Sequence, residues 1–161
     1  MSQRTGGNKM KKIILIIVLA LMPSASFAQE AYNPEGLWLT ENQRSAIRVE
    51  KCDKGLCGRI AWIIDGGMQT DDKNPVEELR GQPICGLEIL NGFTQAADDP
   101  NEWEGGHIYK ADDGDIYNAE IKVLSADEMN VRGYVGISLF GKSQTWKRVS
   151  DKDYPKCKAA K

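Results

Sequence analysis

The sequence predicts an all-β domain, an eight-stranded antiparallel up-and-down barrel with one short helical turn in the long loop after the third strand. Three observations carry this. Beyond residue 28, apolar and polar residues alternate in segment after segment at the two-residue period of a half-buried strand. No stretch there keeps a helical pattern for three turns. Finally, Gly36-Leu37-Trp38 near the start is matched by Thr145-Trp146-Lys147-Arg148 near the end, the pairing expected where a barrel joins its first and last strands. An Arg on the last strand can lay its guanidinium over the Trp of the first, and Gly36 lets the backbone come close.

Ahead of the barrel, Lys9, Lys11 and Lys12 precede the apolar run Ile13–Met22, and Ser26-Phe27-Ala28 offers small residues where a signal peptidase cleaves. Residues 1–28 are therefore expected to be a signal peptide and residues 29–161 a single domain exported to the periplasm of a Gram-negative envelope. The run is short for a bilayer span and no later stretch is as apolar, so no membrane span is expected after cleavage. No Cys stands near the cleavage site to take a lipid anchor. Four of the 21 basic residues leave with the signal (Arg4, Lys9, Lys11, Lys12) and none of the 23 acids does, so the domain sets 17 cations against 23 anions, a net charge of −6. That balance argues against a nucleic-acid partner.

The first strand covers Leu37 to Thr40. The second and third form a hairpin around Asp53-Lys54-Gly55-Leu56, flanked by Cys52 and Cys57. If those four residues are the loop, Glu50 faces Arg59, Val49 faces Ile60 and Ile47 faces Trp62, an ion pair on one face and apolar pairs on the other. This register supports a Cys52–Cys57 disulfide in an exported chain. Cys85 with Cys157 follows by elimination, with two free thiols as the alternative. In the long loop Asn74 is placed to cap a single helical turn, with Pro75 at its first position, Glu77 in it and Gly81 ending it. Strands follow at Leu87–Phe93 and Trp103–Tyr109. The segments Tyr117–Val123 and Met129–Val135 then alternate so that Ile121 faces Val131 and Glu120 faces Arg132 across a turn at Ser125-Ala126-Asp127. The last strand is Lys142–Val149. Counting alternate ends puts the Cys52 hairpin, Thr94–Asn101, the Ser125 turn and Arg148 at the base. Asn42-Gln43, Asp65–Cys85, Asp112–Asp115 and Ser138–Gly141 gather at the mouth.

The motifs Gly36-Leu37-Trp38, Thr40-Glu41-Asn42, Cys52 with Cys57-Gly58-Arg59-Ile60, Asp72-Lys73-Asn74-Pro75, Leu79-Arg80-Gly81, Ile84-Cys85-Gly86, Trp103-Glu104-Gly105-Gly106 and Thr145-Trp146 come in an order that spans nearly the whole domain. Together they resemble the exported bacterial family of domain of unknown function 2147. The resemblance implies a lipocalin-like or streptavidin-like barrel and brings no catalytic residue with it. Where relatives in that family carry a Cys in the Gly-x-x-Gly stretch of the seventh strand, this chain has Tyr134, which leaves the partner of Cys85 open.

Catalytic readings are thinly supported, and no catalytic residue is assigned. His107 is the single His, and no nucleophile-elbow motif accompanies it. One His and oxidised cysteines make no tetrahedral zinc set, so neither metal nor cofactor is expected. Asp65, Asp71, Asp72, Asp112, Asp113 and Asp115 gather in two mouth loops, where calcium binding and acid/base hydrolysis compete with ordinary solvated turn chemistry.

The apolar tip Ile137-Ser138-Leu139-Phe140 is less ordinary, as either a plug for the barrel end or a lid over a site. Lys142 and Gln144 fall below it, and Trp62 and Tyr117 are read as pointing into the same space. The expected function is binding of a small, partly apolar ligand or envelope component at the mouth by Trp62, Tyr117, Leu139, Phe140 and Gln144. The alternative is a non-enzymatic envelope interaction or stress protein whose barrel is filled by Trp62, Trp146, Tyr117 and Met129 and whose outer surface docks a protein partner. Gly36, Trp38, Trp146 and Arg148 are assigned to architecture.

Overall fold

The computed structural model describes residues 1–2, 30–53 and 55–157. From residue 3 on, the expected signal peptide falls outside them. Eight strands close an antiparallel barrel: β1 Gly36–Leu39, β2 Ser45–Cys52, β3 Gly55–Ile63, β6 Glu88–Gln95, β7 Glu102–Lys110, β8 Asp115–Val123, β9 Glu128–Tyr134 and β10 Lys142–Val149. Their order around the wall is β1-β10-β9-β8-β7-β6-β3-β2, so neighbours in sequence are neighbours in space and the last strand meets the first. Two short strands, β4 Thr70–Asp71 and β5 Gln82–Pro83, pair with each other inside the long loop. Neither was signalled by alternation, because two residues are too few to show a period.

The seam between β1 and β10 sets Trp38 opposite Arg148. The indole carries the guanidinium on its face, 4.1 Å from ring centroid to Arg148 Cζ. Trp38 Nε1 donates to the Pro34 carbonyl at 2.9 Å, while Arg148 donates to the carbonyls of Glu35, Asn33 and Ala126. Gly36 has φ +145°, and a Cβ there would lie 2.2 Å from Arg148 Nη1, so a side chain is excluded by both backbone and space. The segment before β1 is clipped down by Asn101, 1% exposed, whose carboxamide accepts from Tyr32 N and donates to the Glu30 carbonyl. Above this floor the lower half of the barrel is solid. Trp38, Ile47, Leu56, Leu90, Phe93, Ile121, Met129 and Trp146 are all fully buried, each contributing on the order of 1.5 to 3 kcal/mol by leaving water.

The β8–β9 hairpin has the predicted register, with Ile121 facing Val131 and Glu120 facing Arg132, and that last pair is an ion pair at 3.7 Å. The β2–β3 hairpin does not. Cys52 faces Gly55, so the turn is two residues tighter than read from the sequence, and Glu50 faces Cys57 while Arg59 faces Arg48. The Cys52–Cys57 disulfide is present, joining a diagonal pair with Cα atoms 5.9 Å apart. Arg59 finds its carboxylate on Glu88 of β6 instead of Glu50.

A bulge between Ala46/Ile47 then reverses the parity of the rest of β3: Ile47 faces Ile60, but Ala46 faces Trp62. Trp62 is thereby turned to the outside, where it packs with Leu37, Leu39, Ala46, Ala61 and Val149. The chain after β10 covers this outer cluster. Tyr154 meets Trp62 edge to face at 4.9 Å, Asp151 pairs with Arg48, Cys157 N donates to the Ala61 carbonyl at 2.7 Å, and Cys157 is bonded to Cys85. Both disulfides are thus formed and no cysteine is free among the described residues, in line with an exported protein.

The helical turn in the long loop is a 3-10 turn, Glu77–Leu79, starting later than Asn74 would place it. Asn74 Oδ1 takes the Val76 N–H at 2.9 Å in a local turn of its own, and Nδ2 donates to Asp71, so the side chain is occupied before the helical turn begins. A second 3-10 turn, Ser138–Phe140, carries the apolar tip. Among the described residues no helix is long and apolar enough to cross a membrane.

Candidate functional site

The upper half of the barrel is hollow. A cavity of about 610 Å³ opens at the mouth, where the Asn42 turn, the long loop, the Asp112 turn and the Phe140 turn meet. Strand alternation explains its lining. The inward positions of β3, β7 and β9 above the solid half are Ile60, Ile108 and Val131, followed on β9 by Gly133, which leaves the wall thin, while a break in the β3–β6 register lets Ile89 line the cavity although its neighbour Leu90 is already in the core. The indole of Trp146 forms part of the lining from below. Ile84, 3% exposed, comes in from the long loop with Met68. This buried apolar surface gives way toward the mouth to Asn42, Arg44, Tyr109, Lys110, Asp112, Tyr117, Tyr134, Phe140, Lys142 and Gln144.

One buried carboxylate fastens the long loop to the wall. Asp71, 0% exposed, accepts from Tyr109 OH at 2.6 Å, from Asn74 Nδ2 at 2.7 Å and from Gln82 Nε2 at 3.2 Å. A buried carboxylate is costly unless hydrogen-bonded, and these three donors meet that need without a cation. Burial and then the Asp71 hydrogen bond hold the Tyr109 phenol well above the usual tyrosine range. Lys73 adds a second tie, donating to the Asp112 carbonyl at 2.7 Å, and Cys85–Cys157 anchors the far end of the loop.

Of the residues proposed from sequence, Tyr117, Phe140 and Gln144 line the cavity. Trp62 does not, because the β3 bulge sends it outside. Leu139 is not in the lining either and stands 76% exposed, since the 3-10 turn points successive side chains apart. Phe140 is 78% exposed while touching the cavity edge, a geometry that rules out a plug. The acids do not form a cluster: Asp71 is buried in its donor set, Asp113 pairs with Lys110, Asp115 accepts from Tyr117 OH at 3.4 Å, and Asp65 borders a shallow hollow beside Trp62. The Lys110 ion pair keeps the Asp113 carboxyl below the usual range against the opposing effect of desolvation. Among the described residues no three His, Cys, Asp or Glu are placed to hold a metal ion. His107 is exposed on β7, opposite Asn91 and Asn118, away from the cavity. Val131 and Gly133 were within reach of a parity argument from β9, whereas Ile108 stands on β7, whose face the sequence leaves open, and Arg44 sits in a turn with no period to reveal it.

Residues 36–148 match the family described as an uncharacterized protein conserved in bacteria, DUF2147. No curated protein matches the sequence. Among solved structures the fold is similar to protein HP1028 of Helicobacter pylori, described as belonging to the lipocalin family, at a TM-score of 0.68 and 22% identity over 76% of this chain and 87% of that one.

Proposed function

The chain belongs to the DUF2147 family of bacterial proteins, a lipocalin-like barrel in this member, and from that premise we propose that it is a periplasmic carrier or receptor for a small, partly apolar molecule held in the mouth of the barrel. The observation that supports this is the division of the interior into a solid lower half and a hollow upper half of about 610 Å³. A volume in that range, apolar inside and polar at its edge, suits one small ligand. The filled-barrel alternative needs Trp62, Trp146, Tyr117 and Met129 to fill the interior, but Trp62 packs outside, Met129 and Trp146 belong to the buried core, and Tyr117 lines the cavity without closing it.

Titration with the neutral fluorophore N-phenyl-1-naphthylamine tests the reading. Binding is expected with a dissociation constant on the order of micromolar, about 8 kcal/mol. Gly133 lines the cavity, and a Cβ there meets Ile108 Cγ2 at 3.4 Å and Tyr117 Cβ at 3.7 Å, ordinary contacts. Gly133→Trp should therefore fill the cavity and abolish dye binding with little change in melting temperature, whereas Gly133→Ala should keep it. Dye that binds Gly133→Trp unchanged would place the site elsewhere. Release of a chain beginning at Gln29 by osmotic shock checks the export step.

A further inference from the structure

On one side of the mouth, beside the Thr40 and Ser45 hydroxyls, the free polar groups of the longer side chains are nitrogen donors. Asn42, Arg44, Lys142 and Gln144 all line the cavity, on the β1–β2 turn and on β10, which are joined through the β1–β10 seam. Asn42 Oδ1 already accepts from Thr40 Oγ1 at 2.9 Å and from the Arg44 backbone N–H at 3.0 Å. Gln144 Oε1 accepts from Trp146 Nε1 at 3.1 Å. A backbone N–H and an indole N–H can only donate, so both carboxamide orientations follow from their partners. What remains for a ligand is Asn42 Nδ2, Gln144 Nε2, the Arg44 guanidinium and the Lys142 ammonium. All four are donors, two of them charged, and neither cation has an ion-pair partner within the described residues. Glu41, in the same turn, is outside the lining and its carboxylate accepts the Thr145 N–H at 2.7 Å. Around the whole cavity three cations, Arg44, Lys110 and Lys142, stand against one carboxylate, Asp112, in a chain whose acids outnumber its bases. The Lys110 charge is answered by Asp113.

Resting on the cavity reading above, we infer that the ligand is an amphipathic anion. Its apolar part lies over Ile60, Ile89, Ile108 and Trp146, and its carboxylate or phosphate head is received by Asn42, Arg44, Lys142 and Gln144. These four donors are exposed to solvent, so a neutral ligand leaves them to water, while an acceptor-only anion exchanges that water for charge-assisted hydrogen bonds to the two cations.

Displacement of bound N-phenyl-1-naphthylamine by decanoate, decyl phosphate and decan-1-ol at pH 7.5 tests this with one chain length and three heads. Either or both anions should displace the dye at a concentration about tenfold below that of the alcohol, the ratio expected of a few charge-assisted bonds at an exposed rim. The more effective of the two identifies the head as an acyl carboxylate or a phosphate ester. In Arg44→Gln/Lys142→Gln, each ligand's displacement being referred to the variant's own dye affinity, the anions should lose their advantage and fall to the level of the alcohol. Equal displacement by all three in the wild type, or an anion preference that survives in the double variant, overturns the inference while leaving the cavity reading in place. Absence of dye binding to the wild-type protein overturns both.

Discussion

Arg148 Cζ lies 4.1 Å from the centroid of the Trp38 ring, and with that one contact the last strand of the barrel covers the first. The guanidinium also answers three carbonyls, those of Asn33, Glu35 and Ala126, so it ties the entering chain and the β8–β9 turn to the same point. Arg148→Ala should destabilise the protein by about 2 to 3 kcal/mol in urea denaturation, combining the loss of the ring contact with hydrogen bonds to partly buried carbonyls. Lys should rescue little, since a single ammonium cannot both cover the ring and reach three acceptors. Thr145→Ala and Lys147→Ala lie on the outer face, where even the Lys147–Glu128 pair is worth under about 1 kcal/mol. Equal losses at all three positions would remove Arg148 from this role.

The two disulfides close loops of very different size, with sequence separations of 5 for Cys52–Cys57 and 72 for Cys85–Cys157. On chain entropy alone the short loop contributes about 2 kcal/mol and the long one about 4 kcal/mol. The Cys85→Ser/Cys157→Ser variant should therefore melt well below the Cys52→Ser/Cys57→Ser variant. It should also release the tail, read as increased proteolysis after residue 150 and a changed Trp62 emission. Matching melting temperatures for the two variants would contradict this ordering.

Tyr109 and Asp71 predict a specific alkaline behaviour. The folded protein raises the Tyr109 pKa above its ordinary value of 10.0, chiefly by burial and then through the Asp71 hydrogen bond. A raised pKa means that the folded state holds the phenolic proton more tightly than the unfolded chain. The stability it contributes is complete below pH 10 and declines as pH rises beyond it. Stability measured against Tyr109→Phe should show the wild type ahead at pH 7 to 9, with the gap narrowing above pH 10. A gap independent of pH would show that the phenol does not titrate differently on folding.

Phe140 is 78% exposed yet touches the cavity edge. Phe140→Asp should leave the melting temperature nearly unchanged, because little apolar area is withdrawn from water at that position. It should weaken dye binding about threefold or more by placing a carboxylate at the entrance. A fall of many degrees in melting temperature would show that the side chain packs inside.

How much was legible depended on whether the information was local. Alternation in Tyr117–Val123 and Met129–Val135 set the β8–β9 register to the residue, because side-chain parity and a short turn decide a hairpin without reference to the rest of the chain. The same reasoning placed Cys52 beside Cys57 but missed the β2–β3 register by two, since two residues leave parity unchanged and a diagonal disulfide satisfies either pairing. The bulge at Ala46/Ile47 was beyond local reading. It inserts one residue to let β3 bend, and it moves Trp62 from the expected cavity to the outer cluster under Tyr154. Asp71 was equally hidden, an acid among acids in sequence and buried only once Tyr109, Asn74 and Gln82 converge on it.

By itself, then, the sequence determined the number of strands in the barrel, the closure of Trp38 by Arg148 and the end of the barrel at which the long loops collect, because period and parity are properties of consecutive residues. The tertiary structure alone decided that the upper interior stays hollow and that Asn42, Arg44, Lys142 and Gln144 meet on one side of its rim. Both depend on which side chains from eight strands reach the same space, and on which of their oxygens are already bonded before a ligand arrives.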